Sequence, residues 1–202
     1  MWWQAVSDNE ARMSDANGGG PAVAGLGGLE ALLRAQAGDR LPPVERWNPP
    51  YCGDIGMAIR RDGTWTYQQS PIGRKPLVKL FSRVLRRDPD GRHYLVTPAE
   101  KVDVLVEDAP FLAVEMEVGG SGREQSLTFR TNVDDVVACG PEHPLRFEEE
   151  AGSGGLKPYV LVRGRLEALV TRAVYYDLVE LAVTEEDRFG IWSRGHFFVM
   201  AG

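Results

Sequence analysis

Apolar and polar residues alternate along much of the chain after residue 50, which is typical of strands that bury one face. The first alternating stretch is interrupted by Asp62-Gly63, a dipeptide that favours a tight hairpin turn. The residues that alternate on either side of this turn are Ile55, Met57, Ile59, Trp65 and Tyr67. After Pro76 the apolar spacing becomes helical, with one stripe made of Leu77, Leu80, Phe81 and Val84. A strand is then predicted at Tyr94–Thr97.

The middle of the chain is predicted to be a central antiparallel meander, because strand-like segments are separated by short Asp, Pro and Gly clusters. These segments are Val102–Val106, Phe111–Val118, Leu127–Thr131 and Leu145–Glu148.

The first pattern recurs near the C-terminus. Tyr159–Arg163 and Leu166–Val170 alternate on either side of Gly164, and Thr171 is placed to cap a helix that reaches Thr184. The apolar stripe of this helix contains Val174, Leu178 and Leu181. A closing hairpin is predicted to turn at Arg194-Gly195.

Hairpin, helix and strand therefore occur twice, starting at Ile55 and at Tyr159, with Gly63 corresponding to Gly164. An internal duplication explains this order, and a chance arrangement of common elements is the alternative. The fold class that we expect is α+β, with duplicated hairpin-helix-strand units around the meander.

The segment before Trp47 differs from the rest of the chain. Its first 20 residues are polar and end in three glycines, so residues 1–28 are predicted to be mobile. A short helix is predicted at Leu29–Ala37, and the prolines around Trp47 predict a linker. The expected organisation is an N-terminal extension at 1–46, an N-terminal α+β unit at 47–108 and a C-terminal α+β unit at 109–202.

Charge and composition exclude several classes of partner. The 202 residues carry 23 basic and 29 acidic side chains, a net charge of -6, so nucleic acid is not an expected partner. No apolar run approaches the roughly 18 residues of a spanning helix, so we expect no membrane insertion and a cytoplasmic location. Cys52 and Cys139 are interpreted as reduced thiols that act as small buried hydrophobes.

Catalytic and cofactor motifs are missing from the sequence. It has no phosphate-binding loop of the Gly-Lys type, no dinucleotide fingerprint and no Cys/His set at zinc-finger spacing, so no cofactor or metal is predicted. His93, His143 and His196 have no ligand partner at helical spacing. No catalytic residue is predicted, and whether the protein is an enzyme stays open.

Polar corners between strands are the candidate binding residues. Thr97–Lys101 and Glu107–Phe111 each combine a hydrogen-bonding turn with an acid, and Asn132 ends another strand. Turns that satisfy their own backbone donors are the alternative explanation. Arg74 and Arg163 occupy corresponding regions of the repeat. Arg172 opens the second helix, where a cation opposes the helix dipole and therefore suggests an acidic or anionic partner.

Several ordered motifs between Trp47 and Met200 resemble the bacterial family known as domain of unknown function 1285. They are Cys52–Met57, Asp62–Trp65, Ser70–Arg74, Thr97–Lys101, Glu107–Phe111, Thr131-Asn132 and Pro158-Tyr159. The resemblance implies a duplicated α+β core whose C-terminal part is superficially similar to pleckstrin-homology folds. It also implies a ligand cleft between the two parts, for a nucleotide-like molecule, and a role in signalling. No reaction follows from it.

Three functions remain open at this stage: a non-enzymatic binding or signalling module, an enzyme that acts on a phosphorylated small molecule, and a scaffold for an unspecified protein partner. The first predicts a nucleotide-like anionic ligand between the two units. The expected ligand-binding residues are Arg74, Thr97, Glu100, Lys101, Asp108, Asn132, Arg163, Glu167 and Arg172. The alternative is that Arg74 and Arg163 pair with Glu100, Asp108 or Glu167 and join the two halves.

Overall fold

The computed structural model describes residues 40–150, 152 and 154–201. The predicted mobile tail and the predicted helix at Leu29–Ala37 lie outside these residues. Within the described part no helix has the length and apolar character needed to cross a membrane.

The first half of the described chain contains six strands and one helix. These are β1 (Tyr51–Ile59), β2 (Trp65–Tyr67), β3 (Ser70–Pro71), α1 (Lys75–Arg83), β4 (Leu85–Arg87), β5 (His93–Val96) and β6 (Lys101–Val106). A short 3-10 helix, Val44–Arg46, precedes them.

The second half contains nine strands and one helix. These are β7 (Phe111–Gly119), β8 (Ser126–Thr131), β9 (Val136–Ala138), β10 (Leu145–Glu149), β11 (Leu156–Arg163), β12 (Leu166–Val170), α2 (Arg172–Glu180), β13 (Val183–Glu185), β14 (Arg188–Ser193) and β15 (His196–Ala201). A second 3-10 helix, Gly122–Glu124, lies between β7 and β8.

The strands form three sheets. The first has the order β3-β2-β1-β6-β5-β4, the second β10-β11-β12-β7-β8-β9, and the third β13-β14-β15. The predicted α+β class with two repeated units is confirmed, and β7, β8 and β9 form the central antiparallel meander. The longer meander predicted from Val102 to Glu148 is wrong in detail, because β6 and β7 belong to different sheets and β10 pairs with β11.

The repeated order is visible in both halves. The hairpin β1-β2 is followed by α1 and the strands β4, β5 and β6, and the hairpin β11-β12 is followed by α2 and β13, β14 and β15. In the first unit β6 returns to pair in parallel with β1. In the second unit β12 pairs in parallel with β7, and the last three strands form their own sheet. The likeness of this half to pleckstrin-homology folds stays a prediction.

Local turn chemistry explains why the predicted hairpins form. The side chain of Asp62 accepts a hydrogen bond from the Thr64 amide at 2.9 Å, which fixes the turn between β1 and β2. Arg194 and Gly195 both have positive φ, at 52° and 74°, which is the conformation of a two-residue hairpin loop. Both predicted turns are confirmed.

The two helices differ from the predictions mainly at their ends. Leu77 and Phe81 of α1 are buried as predicted, and so is Val84 just after it. Helix α2 ends at Glu180 rather than Thr184, and Thr171 makes no side-chain capping bond.

Strand β4 was missed by the sequence pattern, which places Arg86 and Arg87 at the end of the first helix. The helix ends at Arg83, and Leu85 pairs with Leu95 of β5 instead. Arg86 is only 7% exposed and donates hydrogen bonds to Asp88, Val44 and Trp47, so it has a structural role.

One continuous apolar core joins the two halves. Side chains from both halves that are fully buried within it include Trp65, Phe81, Phe111 and Phe129. Trp65 stacks on Phe81 of α1, with 6.3 Å between the ring centroids. Helix α1 is therefore held by the core, and its remaining faces are available for other contacts.

The two cysteines have different environments. Cys139 is buried, and burial raises the pKa of its thiol to about 12, as the small-hydrophobe interpretation requires. Cys52 is exposed, so that interpretation is wrong for Cys52. We expect the native protein to react with Ellman's reagent at Cys52 alone, and at Cys139 only after unfolding. Rapid reaction of a Cys52→Ser variant in its native state would contradict this.

Candidate ligand-binding cleft

A cleft of about 460 Å³ lies between helix α1 and the turn that joins β8 to β9. Helix α1 belongs to the first half of the chain and the turn belongs to the second half. Leu41, from the segment before the first sheet, also lines the cleft. The cleft therefore has walls from both repeated units, which is the place where the sequence predicts a ligand.

Helix α1 presents two different faces. Leu77 and Phe81 face the core, whereas the residues that line the cleft are Pro76, Lys79, Leu80 and Arg83. Lys79 and Arg83 are four residues apart, so their side chains lie one turn apart on the same side of the helix. The helical wall of the cleft thus combines an apolar stripe with two cations.

The opposite wall is a turn held by Thr131. The hydroxyl of Thr131 accepts a hydrogen bond from the Asp135 amide at 3.0 Å, and Asp134 adopts a positive φ of 65°. This conformation places Val133, Asp134 and Asp135 along the cleft. The wall from the second unit is therefore acidic, and it faces the cations of α1.

An ion pair crosses the cleft from one wall to the other. Nζ of Lys79 lies 2.8 Å from a carboxylate oxygen of Asp134, and both side chains are about half exposed. The hydrogen bond and charge of Lys79, followed by those of Arg130, hold the pKa of Asp134 below its ordinary value. An exposed pair of this kind contributes little stability, so either partner can exchange for a ligand group.

Arg163 lies behind the acidic wall and joins the two units. Its guanidinium donates hydrogen bonds to the carboxylate of Asp135 and to the carbonyl of Ser82, the latter at 2.7 Å. It also stacks over the ring of Phe111 at 4.9 Å. Arg163 therefore performs the joining role of the alternative interpretation, although its acidic partner is Asp135.

The other two arginines that the sequence singled out do not line the cleft. Arg74 is exposed at the residue that precedes α1. Arg172 donates a hydrogen bond to the hydroxyl of Tyr176 at 3.0 Å, one helical turn further along α2. This contact supplies Arg172 with a neutral partner, where an acid or an anion was expected.

The corner at Thr97 is a self-contained turn. The Thr97 hydroxyl accepts hydrogen bonds from the amides of Ala99 at 3.2 Å and Glu100 at 3.1 Å. Glu100 is buried, and this burial raises the pKa of its carboxyl group. Lys101 pairs with Asp88 at 3.1 Å. These contacts match the alternative of a hydrogen-bonded turn.

Asp108 anchors the link between the first and second sheets. Its carboxylate accepts hydrogen bonds from Nζ of Lys157 at 2.6 Å and from the hydroxyl of Tyr159 at 2.7 Å. Glu167 accepts two hydrogen bonds from Arg146, whose guanidinium stacks on the Tyr159 ring at 4.2 Å. Tyr159 on β11 and Arg146 on β10 therefore connect Asp108, in the link between β6 and β7, with Glu167 on β12, and neither acid lines the cleft.

Asn132 also satisfies a backbone group, on the neighbouring strand β7. Its side-chain oxygen accepts a hydrogen bond from the backbone amide of Leu112 at 3.0 Å. The backbone amide of Asn132 donates in return to the Leu112 carbonyl. The three polar corners at Thr97, Asp108 and Asn132 thus have separate partners, and none of them lines the cleft.

The cleft residues Lys79, Arg83 and Asp135 were not predicted. A Lys and an Arg four residues apart on the first helix were the available signal. That spacing is equally typical of a solvated helix face, so only the tertiary structure distinguishes them. In the described part of the chain, no group of three or more His, Cys, Asp or Glu side chains is arranged to hold a metal ion.

The chain is similar to two solved structures. A crystal structure of a DUF1285 family protein from Silicibacter pomeroyi DSS-3 is 48% identical, with a TM-score of 0.80, and the match covers 84% of this chain and 92% of that one. A DUF1285 family protein from Shewanella baltica OS155 is 27% identical, with a TM-score of 0.49, over 62% of this chain and 91% of that one. A search of curated proteins found no match.

Two family models together span almost the whole described chain. The N-terminal domain of unknown function DUF1285 matches residues 42–109, and the C-terminal domain of the protein of unknown function DUF1285 matches residues 110–200. The chain belongs to the DUF1285 family.

Proposed function

We propose that this protein is a non-enzymatic module that binds an anionic, nucleotide-like small molecule in the cleft between its two units. The observation that carries the proposal is the composition of the cleft, in which two cations of α1 lie beside apolar side chains and face the acidic turn of the second unit. Its volume of about 460 Å³ falls within the range of small-molecule sites.

Lys79 and Arg83 are the groups that receive the anion. Lys79 has three N–H donors, and its present partner, Asp134, is about half exposed. Arg83 donates to the backbone carbonyl of Arg40 at 2.5 Å, and the planar geometry of a guanidinium suits contact with a phosphate. A phosphate on these two side chains gains charge-assisted hydrogen bonds, while Leu41, Leu80 and Val133 contact the less polar part of the ligand.

A binding role fits the protonation state of the cleft better than acid-base catalysis does. Asp134 has a lowered pKa and stays ionised at neutral pH, which makes it a weak proton acceptor. Because both units contribute walls, a ligand that binds only the folded cleft stabilises their arrangement by mass action. A sensor requires this coupling between ligand binding and the arrangement of the two units.

Calorimetry with GMP and guanosine tests the proposal. We expect GMP to bind, and guanosine, which lacks the phosphate, to bind at least about 10-fold more weakly, because charge-assisted hydrogen bonds are lost. Lys79→Gln and Arg83→Gln are each expected to weaken GMP binding by about 10-fold or more for the same reason.

The matched control is Arg60→Gln. Arg60 forms an ion pair with Glu107 at the end of β1 and does not line the cleft. It should leave GMP affinity unchanged. Absence of GMP binding at millimolar concentration, or equal losses in all three variants, would overturn the proposal.

A further inference from the structure

A second groove, of about 550 Å³, lies along strands β1, β5 and β6 of the first sheet. The parallel pairing of β1 with β6 is interrupted by register shifts between Tyr51 and Asp54 and between Asp54 and Met57. Gly56 has a φ of 77°, and its amide donates to the side chain of Asp54 at 2.7 Å. These irregularities bend β1 and hold Asp54 at the groove.

The groove contains an ion pair in which the acidic partner is buried and the basic partner is exposed. Asp103 is 8% exposed, and its carboxylate accepts hydrogen bonds from Nη2 of Arg92 at 2.5 Å and from the hydroxyl of Tyr51. The side chain of Arg92 is 58% exposed, and a guanidinium carries five N–H groups. Asp103 therefore orients Arg92 while leaving much of its donor fork facing solvent.

Asp54 provides the opposite charge nearby. It is exposed, and Asp54 and Asp103 are register partners on adjacent strands, which are about 4.8 Å apart in a sheet. One carboxylate oxygen of Asp54 accepts the Gly56 amide, and the other has no hydrogen bond within the described residues. An exposed carboxylate and an exposed guanidinium thus lie on either side of the buried Asp103.

Apolar surface completes the groove. Leu105 follows Asp103 by two residues on β6 and is 64% exposed, and the ring of Tyr51 is also exposed. His93 lines the groove as well, and burial together with the charge of Arg87 lowers its pKa to about 4. The groove therefore combines the carboxyl groups of Asp54 and Asp103 and the guanidinium of Arg92 with an exposed leucine.

We propose that this groove binds a free α-amino acid with an apolar side chain. The amino-acid carboxylate accepts hydrogen bonds from the guanidinium of Arg92, the ammonium group donates to the free oxygen of Asp54, and the side chain covers Leu105 and Tyr51. A zwitterion matches both charged groups at once, whereas a simple anion or a simple cation matches one. This site does not depend on the cleft proposed above, because the two share no lining residue.

Three related probes test the match: L-leucine, L-leucinamide and 4-methylpentanoate. The amide lacks the carboxylate, and 4-methylpentanoate lacks the ammonium group. Calorimetry with the full chain should detect leucine binding, and each analogue should bind at least about 10-fold more weakly, as expected for the loss of a charge-assisted contact. No leucine binding at millimolar concentration, or equal affinity for leucine and leucinamide, would overturn the proposal.

Variants assign the contacts. Asp54→Asn keeps an oxygen for the Gly56 amide but removes the charge, and it should weaken leucine binding by about 10-fold or more. Arg92→Gln should have a similar effect, and its thermal melting shows whether the loss of the Asp103 partner also perturbs the fold. Arg60→Gln is again the surface control. Unchanged leucine affinity in Asp54→Asn would overturn the proposed contact between Asp54 and the ammonium group. Unchanged GMP affinity in the same variant would support two independent binding sites.

Discussion

Replacing Arg86 with alanine is expected to lower the free energy of unfolding by about 3 kcal/mol, the scale for removing one partner of a buried ion pair. Arg86 donates to the Asp88 carboxylate at 2.6 Å and to the carbonyls of Val44 at 2.7 Å and Trp47 at 2.8 Å. Alanine leaves these acceptors without that donor. It also releases the segment that lays Val44 and Trp47 on the core.

Urea unfolding at neutral pH measures the first effect, and hydrogen exchange of residues 44–47 measures the second. Arg87→Ala is the matched control, because within the described residues the side chain of this neighbouring arginine makes one long, exposed hydrogen bond, to the Gly91 carbonyl at 3.3 Å. We expect only a small change in the control. Equal losses for both variants would show that Arg86 does not hold the segment.

Removal of the Asp108 carboxylate is also expected to lower the free energy of unfolding substantially. Asp108→Ala should cost about 3 kcal/mol of unfolding free energy, because the Lys157 ammonium and the Tyr159 hydroxyl lose their buried acceptor. Glu115→Ala is the control, since Glu115 pairs with Arg130 at the surface. Urea unfolding of both variants checks this, and a similar midpoint for the two would contradict it.

The same residue predicts a pH dependence. Burial opposes ionisation of Asp108, but the hydrogen bonds from Lys157 and Tyr159 outweigh it, so its pKa in the folded protein is below the ordinary value. The resulting stabilisation is complete above the unfolded pKa of about 3.9 and is lost as the pH falls through the folded pKa. The difference in stability between wild type and Asp108→Asn should therefore shrink below about pH 4. A constant difference down to pH 2 would contradict this.

Sequence patterns predicted the elements whose signals are local. The turn at Asp62-Gly63 and the buried stripe of α1 depend on neighbouring residues, and both are found. The split between β6 and β7 could not be predicted in this way, because the partner of a strand is chosen by distant segments. Strand β4 has three residues and directly follows a helix, so no period identifies it.

The family resemblance implied a ligand site between the two units, but the residues that line the cleft there were not predicted. Arg163 was singled out by its place in the repeat, and it contacts Asp135 beside the cleft. Thr97 holds a turn and Asn132 bonds the backbone of Leu112, and such structural contacts use the same residue types as ligand binding does. Lys79 and Asp134 come from different units, and only folding brings them within 2.8 Å.

Backbone amide chemical shifts during a titration with GMP test most directly whether the cleft between the units is the ligand site. We expect the largest shifts on residues 77–83 of α1 and 133–135 of the facing turn, since these segments line the cleft. Shifts that are concentrated on residues 51–54, 91–93 and 103–106, which line the second groove, or that are absent at millimolar GMP, would contradict it.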